Sequence, residues 1–223
     1  MVNSPFYGLA SRVGSVQQAA LILGTSSLRG IVTAAALVNA LPLPRDGSFD
    51  PDRFWMHSFT CAVWARLLAE RARESVELCY TAGLLHDTGK IVLAIYFGEL
   101  CGEVARRSDA EGRPAHEIER ELLGFDHARV GAELLAHWRL PERLRQPVAL
   151  HHTPPQHGED AVVSVVRTAD RVAHLLVADD AAAVDAVRVQ LRLPESEMEI
   201  LLAAAQRECA ALRSLLHAGG EAE

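Results

Sequence analysis

Several features that would place this chain elsewhere are missing from it. Its four cysteines, Cys61, Cys79, Cys101 and Cys209, form no Cys-x-x-Cys pair. Four cysteines scattered through 223 residues make no disulfide framework, so they read as small core side chains in a reducing cytosol. No basic segment followed by an unbroken apolar stretch opens the sequence, so no secretory signal is read. The longest apolar tract, Ile31 to Leu43, is broken by Thr33, Asn39 and Pro42 and falls short of the roughly 20 apolar residues that span a bilayer. Basic charge is also scarce: 22 Lys and Arg stand against 29 Asp and Glu, a net charge of −7. That argues against a general duplex-DNA binder, which needs a basic footprint. The expectation is a cytoplasmic protein with no membrane and no duplex nucleic acid among its partners.

Strand-like alternation is nearly absent, and apolar residues recur at helical spacing throughout. With 49% hydrophobic and 23% charged residues, the chain can bury a sizeable core. Its helix punctuation is legible. Ser15-Val16-Gln17-Gln18 is a capping box and Gly24 stops that helix; a second apolar helix runs from about Ser26 to Leu41. Asp50-Pro51 starts a helix to about Arg73, and another begins near Ser75, with Gly89 expected to interrupt it before Ile91 to Leu100 continues. Ser108 to Arg113 reads as a polar turn, and Pro114 and Gly124 bound a helix. Asp126 caps the next, with Val130, Leu134 and Trp138 expected inward, and Pro141 opens one reaching His151. A long helix from about Ala161 to Ala178 and a last one from about Ser196 to His217 complete an all-α array of nine or more helices.

The strongest chemical signal is Leu84-Leu85-His86-Asp87-Thr88-Gly89-Lys90. A carboxylate at the end of an apolar helix is costly to bury unless it is paired or binds a cation. His57 shares a helix face with Phe54, Cys61, Trp64 and Leu68; alone, it would read as a core histidine. Asp170 interrupts the apolar stripe of Val163, Val166, Ala173 and Val177, so it needs an internal ion pair or a metal. His127 lies in the first turn of its helix, and His151 and His152 end theirs. Imidazoles and carboxylates together suit iron, manganese or zinc better than calcium. The joint order His57, His86-Asp87, His127, His151-His152, Asp170 outweighs any single member. His116, His137, His157, His174 and His217 fall outside the pattern and receive no role.

That order resembles the HD superfamily, a multi-helix array with a His … His-Asp … Asp metal site that often serves phosphohydrolysis. His57, His86, Asp87 and Asp170 fall on those four positions. His127 and His151-His152 look like the further ligands of the HD-GYP branch, which degrades cyclic di-GMP, and Lys90 matches the lysine of its His-Asp-x-Gly-Lys motif. Thr153-Pro154-Pro155 replaces the Gly-Tyr-Pro signature, which argues against cyclic di-GMP hydrolysis. The nearer resemblance is to the HDOD family. It is carried by Asn3-Ser4-Pro5-Phe6-Tyr7-Gly8, Ala20 to Gly24, Phe54-Trp55-Met56-His57-Ser58, Gly83 to Asp87, Gly124-Phe125-Asp126-His127, and Trp138-Arg139-Leu140-Pro141.

The resemblance implies a division of the chain. Residues 1–45 read as a remnant of the N-terminal HDOD helical subdomain, 46–180 as an HD-like core, and 181–223 as a C-terminal helix and frayed tail. In the family several helices precede the Asn-Ser segment; here the sequence begins almost at that segment, through a start assigned too late or a natural truncation, and in the latter case the first two helices are expected to expose an apolar patch suited to association. The family also implies a bacterial signal-transduction module acting with a signalling protein partner. A metal-dependent phosphohydrolase of nucleotides or cyclic nucleotides is the alternative, in which Asp87 bridges the ions and Lys90 contacts phosphate. Nucleotide binding without turnover is a third reading. On the regulatory reading His57, His86 and Asp87 are structural residues, with a retained ion or none.

Overall fold

A computed structural model describes residues 49–176 and 181–218. The helices expected at Ser15–Leu23 and Ser26–Leu41, and the apolar patch assigned to them, lie outside the described residues. Within the described residues, regular structure is entirely helical: α1 (Pro51–Ala72), α2 (Val76–Leu85), α3 (Thr88–Tyr96), α4 (Gly98–Glu111), α5 (Ala115–Leu123), α6 (His127–His137), α7 (Glu142–Leu150), α8 (Ala161–Leu176), α9 (Ala181–Leu191) and α10 (Glu195–Ala218). Among the described residues, no helix is long and apolar enough to cross a membrane.

The central helix α1 starts where the sequence indicates. Asp50 accepts a hydrogen bond from the Arg53 amide at 3.0 Å, and Pro51 takes the first helical position, where a missing N–H costs nothing. α1 buries most of its surface against α2, α8 and α10. Cys61, Trp64 and Leu68 of α1 meet Cys79 and Ala82 of α2 and Val162, Val166, Ala169 and Val172 of α8 in one core. Val187 of α9 and Met198 and Ala205 of α10 join it, and Glu208 of α10 ties back to Arg66 of α1 at 2.7 Å. A smaller cluster of Leu85, Leu135 and Val148 joins α2, α6 and α7. All four cysteines are free thiols.

Three expected boundaries shift, each for a physical reason. α2 ends at Leu85, and the turn is made by His86 and Asp87, whose φ and ψ of −99° and 7° leave helical geometry. Thr88 Oγ1 donates to the Leu85 carbonyl at 2.9 Å and satisfies an acceptor freed by that turn. Gly89 therefore does not break the helix; it lies inside α3, where its missing side chain lets α6 approach. The helix expected from Ile91 to Leu100 is split at Phe97, and α4 then runs on through most of the segment read as a turn, to the left-handed Gly112. Arg107 and Glu111, four apart on α4, pair at 2.7 Å and favour the continued helix. On α6 the buried stripe is Ala128, Gly131 and Leu135, whereas Trp138, expected inward, is 37% exposed.

Candidate metal centre

The expected residues converge from five elements. α1 supplies His57, the α2–α3 turn His86 and Asp87, α6 His127, the end of α7 His151 and His152, and α8 Asp170. His86, Asp87, His127, His151 and Asp170 are buried, and His57 and His152 are nearly so. Every residue the sequence pattern selected lies in this one cluster.

Asp87 stands at its middle and divides its two oxygens. Oδ2 lies 3.4 Å from both His57 Nε2 and His86 Nε2, and accepts from Lys90 Nζ at 2.6 Å. Oδ1 faces the other way, 3.1 Å from His127 Nε2 and 3.7 Å from His151 Nε2. On the first side, Asp170 Oδ1 is 3.1 Å from His57 Nε2 and 3.4 Å from His86 Nε2, and the two imidazole nitrogens are 3.2 Å apart. On the second side, His152 Nε2 is 2.9 Å from His127 Nε2.

The outer edges of the rings are tethered. His86 Nδ1 donates to the Gly83 carbonyl at 2.7 Å, His151 Nδ1 to the Val148 carbonyl at 2.7 Å, and His127 Nδ1 to Glu119 Oε2 at 2.6 Å. Each bond fixes the ring and leaves Nε2 of the neutral tautomer as a lone pair directed inward, the arrangement that metal-bound histidines use. Transition-metal bonds to nitrogen or oxygen of about 2.1 Å put neighbouring donor atoms roughly 3.0 to 3.4 Å apart, which is the spacing on the first side. Asp87 Oδ1 and His151 Nε2 are buried without a hydrogen-bond partner among the described residues; the contacts to Oδ1 lack hydrogen-bond geometry. Two orphaned acceptors aimed into one space fit a cation better than they fit each other. The residues present could therefore hold metal as two groups sharing Asp87: His57, His86 and Asp87, with Asp170 beside both imidazoles, and Asp87, His127, His151 and His152.

Electrostatics in the ion-free cluster report the same demand. Burial pushes the His57 imidazole down to about 4. It also lowers His151 and His152, the latter further depressed by its histidine neighbours. Burial opposes charge on His86 too, but the adjacent Asp87 carboxylate and the contacts to Asp170 outweigh it and hold His86 well above its ordinary value. Asp87, which burial would raise, is held well below the usual carboxylate range by the charges on His86 and Lys90. A proton on His86 thus supplies the positive charge that two facing carboxylates require, the place a divalent ion would take.

Three residues reach the centre that the sequence pattern passed over. Glu119 of α5 accepts from both the His127 amide at 2.8 Å and its ring. His116, also on α5, stacks on His152 with ring centroids 4.0 Å apart and planes 12° from parallel. His174 lies one turn beyond Asp170 on α8, its Nδ1 3.0 Å from Asp170 Oδ1. Only the last had a readable signal, the Asp-x-x-x-His spacing that puts two donors on one helix face. His137 and His157 are exposed.

Comparison with known proteins places this architecture. The HDOD domain family matches residues 1–154. An uncharacterised protein of Treponema pallidum (strain Nichols) is 23% identical over 162 residues, 72% of this chain, which spans only 31% of that relative's length. Among solved structures, a protein described as a signal transduction protein from Marinobacter aquaeolei VT8 superposes with a TM-score of 0.73 at 25% identity, over 97% of this chain and 51% of that one. An HDOD domain protein of unknown function from Geobacter sulfurreducens gives 0.69 at 24%, covering 96% and 77%. The MmoQ response regulator of Methylococcus capsulatus str. Bath gives 0.60 at 25%, covering 90% and 81%. With two thirds of its length matched by the family and its helices arranged as in these structures, the chain belongs to the HDOD domain family.

Proposed function

We propose that this chain is a signal-transduction module built around a two-ion metal centre. One observation carries the reading: Asp87 offers one oxygen to the His57–His86–Asp170 group and the other to the His127–His151–His152 group. A carboxylate that faces two sets of inward lone pairs is placed to bridge two ions. The donors are mostly imidazoles, which favours iron, manganese or zinc. Similarity to a response regulator and to a signal-transduction protein supports a signalling role with a protein partner that delivers the input.

A metal-dependent phosphohydrolase is the second reading, and Lys90 favours it. Its ammonium lies 2.6 Å from Asp87 Oδ2, so a positive charge stands beside the shared carboxylate and would offset the charge of a phosphate drawn to the centre. Divalent ions held here would lower the pKa of a water and offset phosphate charge. In that reading, Lys90 binds and orients the phosphate, the tethered histidines keep the centre rigid, and the buried walls limit water. A nucleotide or cyclic nucleotide is the substrate class.

Protein loaded with manganese, zinc or iron should be incubated with bis(p-nitrophenyl) phosphate and with a cyclic dinucleotide, while binding of the dinucleotide is followed by calorimetry. A metal-dependent product, lost in Asp87→Ala, favours the hydrolase. Ion uptake without product supports the signalling module. Folded protein that takes up no ion removes the hydrolase and the metal centre, and leaves a signalling scaffold without an ion.

A further inference from the structure

We propose that His174 is an additional ligand of the ion assigned to His57, His86, Asp87 and Asp170, and that it closes the coordination position facing solvent. The inference rests on the metal-binding reading above and goes beyond it, because the position His174 occupies decides whether that ion is open to an incoming ligand.

The argument begins at Asp170 Oδ1. Three imidazole nitrogens crowd this single oxygen: His57 Nε2 at 3.1 Å, His86 Nε2 at 3.4 Å and His174 Nδ1 at 3.0 Å. A carboxylate oxygen has about two lone pairs, so three ring N–H groups cannot all donate to it well. His86 has already committed its Nδ1 proton to Gly83. A shared cation resolves the crowding, since His57, Asp170 and His174 offer donor atoms close enough to one another to meet at one ion. The rings of His57 and His174 lie edge to face at 4.4 Å, and His57, Asp170 and His174 form a ligand-like group of their own.

The competing explanation is local. His174 Nδ1 is also 3.0 Å from the Asp170 carbonyl, four residues back on the same helix, so the ring could simply hydrogen-bond to Asp170. Exposure separates the consequences. The His174 side chain is 58% exposed, whereas those of His86 and Asp170 are 0% and 5%. His174 is therefore the one member of this group at the solvent boundary, where a hydrolytic site keeps a position free for water or substrate and a structural site is closed by protein. A ligand at that boundary makes the first ion a closed, exchange-limited site.

The test uses the full chain loaded with Co(II), whose visible absorption reports coordination number, together with competition titration of affinity. His174→Ala is expected to bind one of its ions tenfold or more weakly. Its spectrum should also change as solvent takes the place of an imidazole nitrogen, and free imidazole should restore both. His174→Gln, which can still hydrogen-bond to Asp170, should behave like the alanine variant. Wild-type spectrum and affinities in His174→Ala would overturn the proposal, as would full recovery by His174→Gln, which would assign His174 to orienting Asp170. A wild-type chain that takes up no cobalt, with Asp87→Ala as its control, would remove the metal reading itself.

Discussion

A Cβ placed on Gly89 would lie 1.9 Å from the carbonyl oxygen of His127 and 2.7 Å from the Gly131 amide nitrogen. The backbones of α3 and α6 touch here because neither glycine carries a side chain. The contact has a functional consequence: α3 follows directly on Asp87 and α6 begins at His127, so this crossing sets the distance between the shared carboxylate and the second histidine group.

Gly89→Ala is therefore expected to destabilise the fold by at least the upper part of the roughly 1–3 kcal/mol typical of overpacking, because the atoms it meets are backbone. Gly131→Ala meets the Val148 side chain at 3.0 Å and the Gly89 amide nitrogen at 3.1 Å, longer contacts than those at Gly89, and should cost less. Denaturant titrations of the two variants check the order; equal or reversed effects would show that the helices separate easily.

Glu119 fixes the His127 ring from behind. Its removal leaves the ring free to rotate and its tautomer undetermined. Glu119→Ala should weaken binding of one ion by about 10- to 100-fold while the other is retained, and Glu119→Gln should recover part of the loss. Competition titrations read the difference; an unaltered second affinity would mean His127 is not a ligand.

His152 is held on two sides: His116 stacks on its face, and its Nε2 lies 2.9 Å from His127 Nε2. His116→Ala should lower affinity at the His127–His151–His152 group, and His116→Phe, which keeps a flat ring, should restore it. Similar losses in both variants would assign His116 a polar role instead.

Linkage gives the ion-free protein a stability maximum near pH 6.5. His57 is pressed down to about 4 by burial, and His151 and His152 are lowered in the same sense. From the ordinary value of about 6.5 down toward 4, the unfolded chain binds a proton that His57 does not, so stability falls with acid by up to about 1.4 kcal/mol per pH unit from this group, and His151 and His152 add to the loss in the same direction. His86 and His127 act oppositely. Burial opposes their charge, but Asp87 beside both, with Asp170 at His86 and Glu119 at His127, outweighs it and raises them. Their contribution is complete below about 6.5 and is lost as pH rises through the raised folded values. Bound ions require both rings neutral, so loading should abolish the alkaline loss. Thermal melts from pH 4 to 9, with chelator and with added metal, follow this directly; an alkaline loss that persists after loading would contradict it.

Much of this molecule was legible in its sequence, because capping and burial leave strong local marks. Asp50-Pro51, Gly124, Asp126 and Pro141 punctuate helices where expected, and His57, His86-Asp87, His127, His151-His152 and Asp170 meet in one centre. The misses share a cause, since they depend on contacts that no local pattern encodes. Gly89 reads as a helix breaker until α6 lies against it. α9 was not anticipated, and it ends at Arg192 in a left-handed conformation, φ 53°, where the sequence offers no glycine as a stop signal. His116 and Glu119 face the centre only because α5 packs beside α6. His174 could have been found, since it stands four residues after a buried aspartate.

The central claim is that the Asp87-centred cluster holds metal. Elemental analysis of protein purified without an affinity-metal step, beside Asp87→Ala, measures this most directly. The account predicts about two equivalents of iron, manganese or zinc per chain, as a two-ion site requires, with both lost in the variant. A folded, metal-free protein that also refuses added ions would contradict it.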